Sequence, residues 1–178
     1  MKKITHIKKN YFNYFLVFYS LIGIYLSLSV GITHDEAHSN WVWKLNFYKI
    51  LNIFLDSNYD VSYLNTYHGY YGVGFYYLAA PLDLIFSKMI DMNEISLEGS
   101  VLLAKHPAVF IFFIISGIYL RKIFLLLTQD ALFSNLSTIL FLTYPYIFGH
   151  SLFNIKDIPF MSIWVICTYY LMNIFINS

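Results

Sequence analysis

The sequence has few charged residues, and their signs nearly cancel. Only 12% of the 178 residues are charged, with 11 lysines and arginines against 10 aspartates and glutamates. An average soluble domain carries roughly 25% charged residues. A chain with this balance offers no basic surface to a phosphate backbone, so nucleic acid is not an expected partner.

Cysteine is nearly absent, and Cys167 is the single example. One thiol excludes a disulfide within the chain and a metal site built from cysteines alone. In contrast, 58% of the residues are hydrophobic and 21% are aromatic. A soluble protein of this size could not bury so much apolar surface. The composition therefore predicts a membrane protein whose main partner is the lipid bilayer.

Four apolar runs are long enough to cross a bilayer as helices, which takes about 20 residues each. The sequence therefore predicts an all-α, multi-pass fold, with spans at about 11–33, 106–127, 131–149 and 158–176. Four lysines precede the first run and indicate a cytoplasmic N-terminus. The first run is too long for a signal peptide and lacks a small-residue cleavage site, so we expect it to stay attached.

The predicted loop over 34–105 contains two further apolar stretches, at about 37–56 and 70–90. The first has polar residues at helical spacing among aromatic ones, which is typical of an interfacial helix. A helix that packs against other spans is the alternative. The second stretch carries Pro81 and Asp83, and a charge at the centre of a spanning helix costs about 2.5–3.5 kcal/mol. We therefore expect it to be interfacial or re-entrant.

This arrangement fixes a predicted topology. If 70–90 crossed the membrane, the basic pair Arg121–Lys122 would lie outside, against the tendency of basic residues to stay inside. With four spans instead, the loop over 34–105 and the loop over 149–157 share the outer face. Each of these loops contains acidic residues.

The first acidic cluster follows the first span as Thr33, His34, Asp35, Glu36 and, after one alanine, His38. Adjacent carboxylates with two histidines four positions apart could bind a divalent cation or act as a base. The alternative is a helix start, where acidic residues are favoured and Thr33 would be the cap. A zinc-protease motif is disfavoured because the glutamate is displaced by one position from that pattern.

Two more groups of polar residues lie at predicted span ends. Lys156 and Asp157 sit between the third and fourth spans, and Lys105 and His106 precede Pro107 at the second span. A cation at a span end could contact an anionic headgroup or a phosphate. Alternatively, each group only anchors a helix end at the interface.

The order of these motifs resembles the N-terminal part of the GT-C glycosyltransferases, membrane enzymes that use lipid-linked sugars. It is most similar to the bacterial relatives of protein O-mannosyltransferases and the aminoarabinose transferase of lipid A. In that family an acidic motif follows the first span, as Asp35–Glu36 does here. A basic residue near a proline opens the next span, as Lys105–His106–Pro107 does. The segment GHSLFNIKDIPF, with Asp157, resembles the second acidic position.

The resemblance implies transfer of a sugar from a polyprenyl-phosphate donor to an acceptor outside the cytoplasm, at a bacterial inner membrane. The implied catalytic residues are Asp35, Glu36 and Asp157. Asp35 is then the base or a carboxylate that orients the acceptor, Glu36 supports it, and Asp157 positions the acceptor or a metal ion. The implied substrate-binding residues, in part near the leaving phosphate, are Lys105, His106, Asn154 and Lys156. No cofactor is otherwise implied, although His34 and His38 could hold a divalent cation.

Members of that family usually have many more spans. The chain is therefore expected to be a single membrane-embedded module over 1–178, the N-terminal fragment of a longer enzyme. The alternative function is a non-catalytic multi-pass protein, either part of a transporter or flippase or an assembly subunit.

Overall fold

The computed structural model describes residues 2–66, 72–90 and 97–177, and these residues form helices and loops with no strand. The prediction of an all-helical chain is thus confirmed. Three helices are long and apolar enough to cross a membrane, and a bent helix pair makes a fourth crossing if it counts as one span. The protein is therefore a helical membrane protein.

The chain divides into two compact units, which we call the span unit (Met1–Val30 with His106–Ser178) and the loop unit (Gly31–Lys105). The span unit contains α1 (Lys2–Ser29), α5 (His106–Thr128), α6 (Ala131–Thr143), α7 (Pro145–Ser151) and α8 (Asp157–Asn177). The loop unit contains α2 (His34–Phe54), α3 (Gly74–Phe86) and α4 (Leu97–Leu103), with short 3₁₀ turns at Ser62–Asn65 and Ser87–Met89.

Helix α5 is the centre of the span unit, because α1, α6 and α8 all pack against it. Glycines allow α1 and α6 to lie close to α5. A Cβ atom on Gly23 of α1 would overlap the ring of Phe110, and one on Gly117 of α5 would lie 2.7 Å from the Cδ2 atom of Leu142. Small residues at such positions let membrane helices pack closely, where no hydrophobic effect drives them together.

An aromatic cluster fills the space around Phe110, which is fully buried. The ring centroid of Tyr19 lies 5.6 Å from that of Phe110 and 5.6 Å from that of Phe148. The Phe110 and Phe148 rings meet edge to face at 6.3 Å. These contacts join α1, α5 and α7.

The predicted span over 131–149 is not one straight helix. It breaks at Tyr144, where the backbone is extended, and α7 continues at 64° to α6. Pro145 is the cause, since its ring disfavours the helical conformation in the preceding residue and it has no N–H to donate. The 13 residues of α6 extend about 20 Å at 1.5 Å per residue, against a hydrocarbon core of about 30 Å.

Two boundaries near the first acidic cluster also differ from the sequence prediction. Helix α1 ends at Ser29, where the span was expected to reach about residue 33, and α2 begins at His34 instead of about residue 37. Thr33 adopts the extended conformation of an N-cap and forms a capping box with Glu36. Thr33 therefore begins a new helix, whereas the hydropathy pattern assigns this residue to the end of the first span. The second predicted interfacial stretch contains α3, and its first residues, 70–71, lie outside the described residues.

The close approach of α1 to α5 generates a prediction. Replacing Gly23 with alanine should lower the free energy of unfolding by about 1–3 kcal/mol, because the buried Phe110 ring must move. Gly149→Ala is the control, since nothing lies within 4 Å of a Cβ atom there and alanine favours helix by up to about 1 kcal/mol. Equilibrium unfolding in mixed micelles would measure both, and equal stability of the two variants would contradict the packing described.

Candidate functional site

The two carboxylates of the first acidic cluster differ in their surroundings. Glu36 is only 2% exposed, and its Oε1 atom accepts hydrogen bonds from the Thr33 N–H at 2.8 Å and the Thr33 hydroxyl at 2.7 Å. Glu36 therefore holds the first turn of α2 in place. This is the capping arrangement that the sequence offered as an alternative to a catalytic role.

Asp35, one position earlier, is exposed. Its carbonyl accepts a hydrogen bond from the Ser39 hydroxyl at 2.8 Å, whereas its carboxylate has no partner in the described part of the chain. An acidic group in the first turn of a helix is stabilised by the helix dipole. Asp35 is thus an accessible carboxylate on a rigid support, which can accept a proton or a hydrogen bond.

The structure describes the side chain of one of the two histidines in this cluster, His38. His38 is half-buried, and its ring centroid lies 6.0 Å from that of Trp41. The side chain of His34 lies outside the described residues. Among the side chains that are described, no three histidine, cysteine, aspartate or glutamate residues are grouped closely enough to hold a metal ion. A divalent cation at His34 and His38 stays a prediction.

The second acidic cluster is organised by Asn154, just before α8. Its Oδ1 atom accepts hydrogen bonds from the backbone N–H groups of Lys156 at 3.1 Å and Asp157 at 2.9 Å. Its Nδ2 atom donates to the Oδ2 atom of Asp157 at 3.0 Å. Asn154 therefore caps the helix and orients the carboxylate of Asp157, which is exposed at the first position of α8. Lys156 is half-buried beside it.

His150 belongs to the same group, although the sequence analysis did not single it out. Its Nδ1 atom lies 3.2 Å from the Nδ2 atom of Asn154, and its ring centroid lies 4.5 Å from that of Tyr146. His150, Asn154 and Asp157 line a cavity of about 200 Å³ together with Tyr146. The segment 152–156 between α7 and α8 is not helical, so helical spacing does not relate these residues, and only the fold shows that they form one group.

Lys105 and His106 are neighbours in sequence but belong to different units. His106 is fully buried at the start of α5, and its Nδ1 atom lies 3.1 Å from the backbone carbonyl oxygen of Ser27. That carbonyl lies in the last turn of α1, where helical partners run out. Because a carbonyl only accepts, the Nδ1 atom of His106 is the donor. His106 thus joins α1 to α5, and its contact with substrate stays a prediction.

Lys105 forms a buried ion pair in the loop unit. Its Nζ atom lies 2.6 Å from the Oδ2 atom of Asp83, and the two side chains are 2% and 16% exposed. The ammonium group also lies 5.3 Å from the ring centroids of Trp43 and Tyr76. Burial raises the pKa of Asp83 above its ordinary value, and the Lys105 ammonium opposes this rise.

The ion pair borders a cavity of about 510 Å³ in the loop unit. Most of its wall is apolar, with Asp83, Ser87 and Lys105 as polar residues; the apolar residues are Trp43, Tyr77, Ala80, Pro81, Leu84, Val101 and Ala104. A signal for this pair is visible in the sequence, since each charge is isolated in an apolar segment and such charges need a partner. It could not show which charges pair across 22 positions.

The ion pair yields a prediction with a defined pH dependence. Lys105→Met should destabilise the protein by about 3–5 kcal/mol at about pH 8, because Asp83 is left buried without its cation. The loss of Lys105 also raises the pKa of Asp83 further. A carboxyl whose folded-state pKa is raised gives stability that is lost as pH rises through that pKa. Lowering the pH to about 5 should therefore restore part of the stability.

The double variant Asp83→Leu with Lys105→Met is the matched control, since it removes both charges. It should unfold near the wild-type midpoint, with little change between the two pH values. Thermal unfolding in detergent at both pH values measures all three proteins. A Lys105→Met variant as stable as wild type at the higher pH would contradict the pairing.

The chain was also compared with known proteins. Protein-family models, curated proteins and solved structures all give no match. Its function is therefore inferred from the side chains just described and from the order of its motifs.

Proposed function

We propose that this protein is a glycosyltransferase, which transfers a sugar from a polyprenyl-phosphate donor to an acceptor at the outer face of a bacterial inner membrane. The observation that carries the proposal is the exposed carboxylate of Asp157. Asp157 is the first residue of α8, an apolar helix long enough to span the membrane. Its carboxylate is oriented by Asn154, and the residue borders the cavity of about 200 Å³. The resemblance of its motif order to that of the GT-C enzymes supports the same reaction.

A lipid-linked sugar is an amphipathic substrate that suits a membrane-embedded protein. Its polyprenyl tail dissolves in the bilayer, while its phosphate and sugar stay at the boundary with water. Asp35 follows α1 closely in sequence, and Asp157 is the first residue of α8. Carboxylates at the ends of apolar helices are accessible to such a substrate without the cost of burying a charge in lipid.

In the proposed reaction a hydroxyl or amine of the acceptor attacks the anomeric carbon of the donor sugar. As the new bond to carbon forms, the proton of the nucleophile passes to the carboxylate of Asp35. The bond between the anomeric carbon and the phosphate oxygen breaks, and polyprenyl phosphate leaves with the electron pair. Asp157 orients the acceptor, and Glu36 keeps Asp35 in place through the cap of α2.

The cations assigned to the leaving phosphate are not equally accessible. Lys105 is only 2% exposed, so a phosphate has little access to its ammonium group. Lys156 is half-buried and adjacent to Asp157 in sequence. We therefore assign the first phosphate contact to Lys156, while His106 and Asn154 act by holding the local structure.

The test is a pair of variants, Asp35→Asn and Asp157→Asn, in the protein with its complete reading frame. Removing a general base lowers the rate about 10²–10⁴-fold, so we expect a loss of that size for Asp35→Asn and a smaller loss for Asp157→Asn. Transfer of a radiolabelled sugar from polyprenyl-phosphate carriers in isolated membranes gives the rate.

The control is Asp56→Asn, since Asp56 is exposed and has a backbone φ of 52°, which asparagine tolerates. It should transfer sugar at the wild-type rate. Wild-type rates for both Asp35→Asn and Asp157→Asn would contradict the catalytic assignment.

A transporter or flippase component is the second candidate, and the bent pair α6–α7 is the observation that favours it. Broken apolar helices line substrate paths in many transporters, and this pair is bent by 64°. In that case Asp35 and Asp157 would contact a passing substrate rather than a reacting bond. Loss of substrate uptake without any sugar transfer would identify this function.

A further inference from the structure

The amide of Asn154 is held in one orientation. Its Oδ1 atom accepts two backbone hydrogen bonds, from Lys156 at 3.1 Å and from Asp157 at 2.9 Å. A backbone N–H can only donate, so the atom facing both groups must be the amide oxygen. The opposite atom is therefore the amide nitrogen, which can only donate.

This orientation determines the tautomer of His150. The Nδ2 atom of Asn154 lies 3.2 Å from the Nδ1 atom of His150. Since Nδ2 is a donor, Nδ1 must accept with its lone pair and carries no proton. The neutral imidazole then carries its proton on Nε2, and His150 presents a hydrogen-bond donor on the other side of its ring.

The same amide also holds one oxygen of the Asp157 carboxylate. Its second Nδ2 hydrogen is donated to the Oδ2 atom of Asp157 at 3.0 Å. The Oδ1 atom of this exposed carboxylate is left as an acceptor. A single asparagine thus sets a donor on His150 and an acceptor on Asp157, and both residues line the cavity of about 200 Å³.

We propose that His150 and Asp157 bind a sugar hydroxyl in this cavity, with Asn154 as the positioning residue that imposes the tautomer of His150. A hydroxyl group both accepts and donates, so it can accept from Nε2 of His150 and donate to Oδ1 of Asp157. The remaining wall suits the carbon face of a sugar ring and consists of Tyr146, Ile147, Ile158 and Met161. The identity of the ligand as a sugar rests on the proposed function, whereas the tautomer does not.

The tautomer is tested by two-bond ¹H–¹⁵N correlation spectra of the protein, labelled on histidine and placed in nanodiscs. The His150 signal is assigned by its loss in His150→Gln. We expect the Nε2-protonated tautomer in wild type. Asn154→Asp is the matched variant, since aspartate also caps helices but can only accept. It should reverse His150 to the Nδ1-protonated tautomer, and an unchanged tautomer would overturn the proposal.

Binding is tested in the same samples with methyl mannoside and methyl glucoside as probes. At least one of them should shift the His150 Nε2 resonance of wild type, and neither should do so in Asn154→Asp. A wild-type resonance that neither sugar shifts would overturn the binding site. A wild-type shift, combined with full transfer activity in Asp35→Asn, would leave the site standing and refute the proposed reaction.

Kinetics distinguish whether the hydroxyl belongs to the donor or the acceptor. His150→Leu removes the donor and should raise one KM roughly tenfold with little change in kcat, since one hydrogen bond contributes about 1–1.5 kcal/mol. A raised KM for the acceptor or for the lipid-linked donor identifies the source. His150→Gln keeps an N–H donor and should restore most of the affinity. If His150→Leu changes neither KM, the binding role is wrong.

Discussion

A polar group inside an apolar environment is costly unless it finds a partner within the protein, and this constraint governs the main contacts of both units. In the span unit this constraint leads to hydrogen bonds that join α1 to other helices. The Pro145 break frees the carbonyl of Leu142 from its helical partner, and the Tyr19 hydroxyl donates to it. The last turn of α1 likewise contributes a carbonyl to His106. Both hydrogen bonds attach α1 to the other helices of the span unit. In lipid no hydrophobic effect drives these helices together.

The same constraint separates structural charges from candidate functional ones. Lys105 and Asp83 are buried, and each neutralises the other, so their positions depend on the fold of the loop unit. Asp35 and Asp157 are exposed in the first turns of α2 and α8, where a negative charge is favoured by the helix dipole. Such carboxylates need no buried counter-charge, and they keep the acceptor capacity that a reaction or a ligand requires.

Much of the architecture could be predicted because hydropathy acts over whole helices. The composition and the apolar runs predict an all-helical membrane protein, and α5 and α8 lie where these runs occur. Contacts between distant residues could not be predicted, since the pairing of Lys105 with Asp83 depends on how α3 and the end of the loop unit pack. His150 was missed because its role appears only when Asn154 is seen to turn its amide nitrogen toward the ring. The acidic residues were visible in the sequence, and their catalytic role is still a proposal.

The proposed reaction requires Asp35 and Asp157 to lie on the same face of the membrane. The bent pair α6–α7 decides this, since it either crosses the membrane or re-enters. Single cysteines can be introduced as Asp35→Cys or Asp157→Cys in a Cys167→Ala background and labelled in intact cells with a membrane-impermeant maleimide. We expect both positions to react from outside. Labelling of position 157 only after the cells are opened would place the two acids on opposite faces and contradict a shared reaction.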